Sequence, residues 1–159
     1  LFCYTGAVSV HAAVGGASRV DSVDLSATYL AWAEDNFRLN HLPTNPYKYH
    51  MIRDNAVEWL AHCRQRYDLI FLDPPTFSNS KRMQDVFDVQ RDHVQLLNNA
   101  MRVLETGGIL VFSNNFRKFK LDPVISERYA VEDYRNPSIP EDFQRDMKIH
   151  GCWLIRHKS

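Results

Sequence analysis

The chain has 159 residues, the length of about one domain, and its 45% apolar and 12% aromatic residues suffice for an ordinary core. Nineteen basic and nineteen acidic residues cancel, so no global field draws the chain to nucleic acid or to a membrane, although local basic clusters can still meet RNA. Three dispersed cysteines (Cys3, Cys63, Cys152) without metal-ligand spacing fit reduced thiols in the cytoplasm, and no apolar run reaches the ~20 residues of a membrane span.

The chain opens on Leu-Phe-Cys-Tyr, with no initiator Met and no signal-peptide form, and reads as the end of a strand in a fragment of a longer polypeptide. Thr5-Gly6 predicts a tight turn, Ala7–Val14 a helix stopped by Gly15-Gly16, and Arg19–Val23 a second strand ending at Asp24. Ser26 caps a helix to about Asn40, Pro43–Pro46 is a turn, and Tyr47–Ile52 is a third strand. A helix over Ala56–Arg66 and a strand over Tyr67–Leu72 follow. Asn79–Asp85 reads as a polar loop, Val86–Leu104 as a long helix stopped by Thr106-Gly107-Gly108, and Ile109–Ser113 as the fifth strand. Tyr129–Arg135 and Ile149–Ile155 are expected to pair as an antiparallel ribbon. Strands alternating with helices predict an α/β fold with a mostly parallel sheet, in one domain over 1–159.

The most informative stretch is Leu72-Asp73-Pro74-Pro75-Thr76-Phe77-Ser78, after the apolar run Leu69-Ile70-Phe71. Prolines have no N–H to donate, so the ladder stops and the chain turns out. Ligands of open α/β sheets bind at the carboxyl ends of strands, which places the Asp73 carboxylate and the Phe77 ring at a rim. The competing reading is a proline-rich exit loop with a capping Asp.

Two further strand ends carry acids. Asp24, eighteen residues after Gly6, can accept hydrogen bonds from ribose hydroxyls or cap the next helix. Asp54, in Ile52-Arg53-Asp54-Asn55, can accept from an adenine amino group or act as an N-cap. The turn Tyr4-Thr5-Gly6 has a single glycine where a pyrophosphate-binding turn needs three, which weighs against NAD or FAD.

These features resemble the class I S-adenosylmethionine-dependent methyltransferases. The segments at 1–6, 23–26, 73–83, 88–93 (Asp-Val-Gln-Arg-Asp-His) and 112–115 (Phe-Ser-Asn-Asn) resemble, within that class, the C-terminal guanine-N7 half of bacterial two-domain 23S rRNA methyltransferases. The resemblance implies a Rossmann-like seven-stranded sheet with an antiparallel last strand, the front of strand one being absent. It implies S-adenosyl-L-methionine as cofactor, 23S rRNA as substrate, and a companion methyltransferase domain N-terminal to this one. It also implies roles: Tyr4, Thr5 and Gly6 at the methionine part, Asp24 at the ribose and Asp54 at the adenine end, with Leu25, Asn55 and Asp73 also among the cofactor-binding residues. Asp73 with Pro74 and Pro75 would lie near the methionine amino group or the target base, and Phe77 would pack on a flipped guanine.

Basic patches for RNA phosphates are expected at Lys81-Arg82 and at Arg117-Lys118, with Asn114 and Asn115 reading base edges or satisfying turn backbone. Arg91 and Asp92 read as an ion pair supporting the loop. Methylation of a pyrimidine carbon would need a thiolate. The segment where a carbon-methylating relative carries Cys reads Ser113-Asn114-Asn115, and none of the three cysteines is expected at the Asp73 rim. Seven histidines show no ligand spacing, so no metal site is expected. A truncated cofactor- or RNA-binding module without turnover, and methylation of the exocyclic guanine amine, are the alternatives.

Overall fold

The structure, a computed structural model, describes residues 1–42, 47–78, 87–143, 145–146 and 149–158. The expected turn at 43–46 and loop at 79–85, with Lys81 and Arg82, lie outside the described residues. The chain forms two compact units, Leu1–His62 and Cys63–Ser159. Among the described residues, no helix is long and apolar enough to cross a membrane.

The first unit runs α1 (Ala7–Val14), β1 (Val20–Asp24), α2 (Ala27–Leu39), β2 (Tyr49–Arg53), α3 (Ala56–His62). β1 and β2 pair in parallel, Val20 opposite Tyr49 through Asp24 opposite Arg53, so their carboxyl ends lie side by side. Ser26 caps α2 as expected, its hydroxyl accepting from Tyr29 N at 3.2 Å. Leu30, Ala33 and Phe37, at helical spacing, are the buried residues of α2. Val10, Ala13, Val20 and Phe37 form a core cluster, with Leu42, Tyr49 and Met51 packed on it. Gly6 is required twice over: its φ is +72°, and a Cβ there would stand 2.7 Å from Ala33 Cβ.

Leu1–Tyr4 differs from the expected strand end. No strand is formed there, because Phe2 (φ 56°) and Tyr4 (φ 51°) are in the left-handed region, which cannot continue a ladder. Cys3 N still donates to Val23 O at 3.1 Å.

The second unit contains β3 (Tyr67–Leu72), β4 (Phe77–Ser78), β5 (Phe87–Asp88), α4 (Val89–Arg102), β6 (Leu104–Asn114), α5 (Pro123–Arg128), β7 (Ala130–Asp133), α6 (Arg135–Ser138), a 3₁₀ turn at Glu141–Phe143 and β8 (Gly151–Arg156). Its sheet has the order β3-β6-β8-β7. β3 and β6 are parallel, and the last strand, β8, is antiparallel to β6 and β7. The expected C-terminal ribbon is therefore present, as Ala130–Asp133 against Gly151–Arg156. The ladders among the described residues are three: the β1-β2 pair, this four-stranded sheet, and an antiparallel β4-β5 ribbon.

Further elements depart from the sequence reading: the helix expected over Ala56–Arg66 ends at His62. The expected helix over Val86–Leu104 begins only at Val89, since Phe87–Asp88 pairs with Phe77–Ser78 and Asp88 caps α4. The expected stop at Thr106-Gly107-Gly108 lies inside β6. A Cβ on Gly108 would stand 2.8 Å from Asp68 O, and the register with β3 shifts between Tyr67 and Leu69. Gly108 thus permits close strand approach at an irregularity, while Gly107 supplies a left-handed φ of 86° with open space around it.

The core of the second unit is aromatic. Phe112, fully buried, stacks on Trp153 at 5.6 Å, and Phe119 meets both rings. A Cβ on Gly151 would stand 2.4 Å from the Trp153 ring, so glycine makes room for it.

Candidate functional site

In the first unit, the strand-exit turn is held from several sides. Gly6 N donates to Cys3 O at 2.8 Å, and Asn36 Nδ2 of α2 donates to Thr5 O at 2.8 Å. Tyr4 N donates to Asp24 Oδ2 at 3.0 Å, while Ser26 N donates to Asp24 Oδ1 at 2.9 Å. The Tyr4 ring, 55% exposed, stands edge-on to Tyr29 at 4.6 Å. The Cys3 thiol is pushed up to about 11, first by burial and then by the Asp24 charge.

The structure brings Asp24 and Asp54 together: Asp54 N donates to Asp24 O at 3.1 Å. It also separates Asp54 from the capping role. Asn55 caps α3, with Oδ1 accepting from Val57 N at 3.0 Å, and Asp54 Oδ1 accepts from Asn55 N at 2.7 Å. Asn55 is buried, and Leu25 O accepts from Arg53 Nε at 3.5 Å.

In the second unit, Asp73 follows β3 and is exposed. Leu72 lies opposite Phe112 in the parallel ladder, which sets the next pair, Asp73 and Ser113, face to face. The Ser113 hydroxyl donates to Asp73 Oδ1 at 2.6 Å, and among the described residues Oδ2 carries no hydrogen bond. Thr76 Oγ1 donates to Asn115 Oδ1 at 3.2 Å, and Val89 N donates to Thr76 O at 3.1 Å. The β4-β5 ribbon holds Phe77 opposite Asp88. The Phe77 ring is 57% exposed and stands 6.4 Å from the Phe116 ring. Pro74 is buried and Pro75 exposed.

The predicted polar residues after β6 play unequal parts. Asn114 is buried to 1%, and its Oδ1 accepts from Phe116 N at 3.1 Å, so it shapes the turn that carries Asn115 and Phe116. Arg117 and Lys118 are exposed, and Arg117 pairs with Asp146.

Sequence reasoning missed what the Asp88–His93 segment does. Asp88 Oδ1 accepts from Gln90 N at 2.8 Å and Arg91 N at 3.2 Å, while Asp92 Oδ2 reaches back to accept from Asp88 N at 2.9 Å, a reciprocal cap like a capping box but closed from the fourth helical residue rather than the third. The expected Arg91–Asp92 ion pair is present, and its hydrogen bond holds the Asp92 carboxyl below the usual range. Gln90 makes a reciprocal pair with the backbone of Lys120, through Nε2 to O at 2.9 Å and from N to Oε1 at 2.8 Å. Buried His93 donates from Nδ1 to Gln90 O at 2.9 Å and accepts at Nε2 from Asp122 N at 3.0 Å, which assigns its neutral tautomer. The signal was the motif itself; its partners are thirty residues downstream and carry no local pattern.

One expectation about cysteine needs correction. Cys152 lies opposite Ser113 in the β6-β8 ladder and feels the Asp73 charge, so a thiol does stand near this rim. It is buried, and burial together with the charges of Asp73 and Asp133 pushes its thiol up. A group so placed is a protonated core residue, not a thiolate nucleophile.

Comparison with known proteins supplies the family. The family model for S-adenosylmethionine-dependent methyltransferases matches residues 1–139. The chain is 58% identical over 159 residues to the ribosomal RNA large subunit methyltransferase K/L of Hahella chejuensis, covering 100% of this chain and 22% of that protein. It is 55% identical to the K/L protein of Chromohalobacter salexigens, covering 99% of this chain and 21% of that one. The chain thus spans about a fifth of the length of these relatives. Among solved structures, the methyltransferase SMU.776 in complex with SAH superposes with a TM-score of 0.78 at 25% identity, over 97% of this chain and 43% of that one. A methyltransferase from Agrobacterium tumefaciens gives 0.71 at 22% identity, over 99% of this chain and 54% of that one, and supports the Rossmann-like α/β fold. The chain belongs to the S-adenosylmethionine-dependent methyltransferases, its cofactor is S-adenosylmethionine, and it resembles the methyltransferase K/L domain.

Proposed function

We propose that this chain transfers the methyl group of S-adenosylmethionine to N7 of a guanine in 23S rRNA, in the cytoplasm, alongside a companion methyltransferase domain in the longer polypeptide. The observation that carries the reading is the rim of the second unit: Asp73 held by Ser113, beside the exposed Phe77 ring. The likeness to the K/L relatives adds the substrate class.

The chemistry suits these residues. The sulfonium methyl is electrophilic, and guanine N7 has an in-plane lone pair with no proton at neutral pH, so attack needs alignment rather than a general base. Alignment alone supplies up to about 7–11 kcal/mol in well-oriented systems. Phe77 stacks on the unpaired base, an interaction of about 1–3 kcal/mol. The Asp73 carboxylate and the carbonyls of Pro74 and Pro75 offset the positive charge that N7 acquires.

For the cofactor, Tyr4, Thr5 and Gly6 take the methionine portion, Asp24 with Leu25 the ribose, and Asp54 with Asn55 the adenine. Arg117 and Lys118, with Lys81 and Arg82, contact phosphates, which binds RNA without reading sequence. Asn115 reads a base edge from the turn that Asn114 shapes.

The exposed Asp73 oxygen also suits the exocyclic amine, whose N–H it can accept, so N2 transfer is the second reading. Methyl transfer to unmodified 23S rRNA, with mass mapping of the product nucleoside, tests both. 7-Methylguanosine supports the proposal, N2-methylguanosine moves it to the amine, and binding without transfer reduces the chain to a binding module.

A further inference from the structure

We infer that Asp24 is a bridge: the carboxylate that meets the cofactor ribose is at the same time the clamp that holds Tyr4 in its left-handed conformation. The inference rests on the ribose assignment above and extends it to the backbone.

Three observations carry it. Tyr4 has φ of 51° and Phe2 has φ of 56°, a conformation L side chains with a Cβ rarely adopt. Such a conformation persists only where the surroundings over-determine it. The Tyr4 N–H points at Asp24 Oδ2, 3.0 Å away and twenty residues on in sequence. The other oxygen, Oδ1, is held by Ser26 N at 2.9 Å, so neither oxygen is free to swing away.

The acceptor count leaves room for a ligand. An ionised carboxylate has about four lone-pair sites, two on each oxygen. Tyr4 N–H and Ser26 N–H occupy one on each oxygen, which leaves one on each. That is the number a vicinal diol needs for its two hydroxyl donors. Ribose recognition and the shape of the methionine-facing turn therefore share one side chain. A mutation at Asp24 acts on both ends of the cofactor, through the diol directly and through Tyr4 indirectly.

Two ligands and one variant separate these roles. S-adenosylhomocysteine and its 2′,3′-dideoxy analogue are titrated by calorimetry into the wild-type chain and into Asp24→Asn, which keeps the side-chain shape but cannot accept on both atoms. Amide exchange at Tyr4 is followed by NMR in the ligand-free proteins. In the bridge, the dideoxy analogue binds wild type more weakly than its parent. Asp24→Asn then weakens the dideoxy analogue further, by about tenfold, and speeds Tyr4 exchange by about tenfold or more, as for loss of a charge-assisted hydrogen bond. The Leu30 and Ala33 amides of the α2 core exchange as before.

Equal binding of the dideoxy analogue to wild type and variant, with Tyr4 exchange unchanged, makes Asp24 a ribose contact alone and overturns the clamp. Equal binding of both ligands to wild type removes the ribose role, and the bridge with it. Loss of Leu30 and Ala33 protection in Asp24→Asn shows a carboxylate holding the whole unit rather than one turn, and also overturns the proposal. The identity of the methylated nucleoside, read by mass mapping, is independent of all three results.

Discussion

The two strand exits are held by different means. In the first unit the turn before α1 is gripped through its backbone: Tyr4 N on Asp24, Thr5 O on Asn36, Gly6 N on Cys3 O. In the second unit the rim after β3 is gripped largely through side chains: Asp73 by Ser113 and Thr76 by Asn115, with the β4-β5 ribbon beneath. A backbone grip tolerates most changes of side chain on the gripped residue, provided its φ can be kept. A side-chain grip fails when either partner changes. The first arrangement suits an invariant ligand such as a cofactor. On the proposed reading, the second ties substrate chemistry to a handful of replaceable groups.

Asp73→Ala gives the largest expected effect and tests the second arrangement directly. Turnover falls by on the order of a thousandfold, and near-ultraviolet circular dichroism stays as in wild type. Normal turnover in that variant removes Asp73 from the site. Gly151→Ala comes next and acts on packing beneath the sheet: with the Trp153 ring 2.4 Å from the new Cβ, urea unfolding shows a loss of about 1–3 kcal/mol.

Ser113→Ala sharpens the contrast, because the carboxylate remains and only its orientation is lost. A fall in kcat of about tenfold with KM for the cofactor unchanged is expected, and Ser113→Thr, which restores a hydroxyl, recovers most of it. Equal losses in Ala and Thr variants would point to packing instead.

The Cys3 thiol reports on the first arrangement. Its value is raised from 9.0 to about 11, so the folded chain holds this proton more tightly than the unfolded one. The resulting stabilisation is complete below about pH 9 and disappears as pH climbs through 11. Asp24→Asn removes one of the two raising causes, so the thiol titrates at lower pH and is alkylated faster at pH 9 than in wild type. Unchanged alkylation would mean that burial alone acts. The smallest effects belong to Arg117→Ala and Lys118→Ala, each of which lowers the salt slope of RNA binding by about one, with no change in the methylated nucleoside.

Much of this was legible in residue types. Ser26 as a cap, the Asp-Pro-Pro stop after β3, and the closing antiparallel ribbon all follow from local chemistry, and all are present. What escaped were features decided by distant partners. Apolar Val86 and Phe87 extend the periodicity of α4 backwards in the sequence, which places the expected helix start too early; only the pairing of Phe87 with Ser78 sets it at Val89. Gly107-Gly108 looks like a helix stop from either side, and its use inside β6 depends on Asp68 across the ladder. The cap expected at Asp54 falls on Asn55 instead: both types cap well, and only the Val57 N–H chooses between neighbours.

The anchoring of the stretch after β6 has an evolutionary consequence. Phe116 is fixed by Asn114, Lys120 by Gln90, and Asp122 by the two-sided imidazole of His93. Between those pins, Arg117 and Lys118 ride on chain whose path is already decided. On the proposed reading, natural selection can therefore retune the grip on a polyanion here without renegotiating the scaffold, more freely at Lys118 than at Arg117, whose charge is also paired with Asp146.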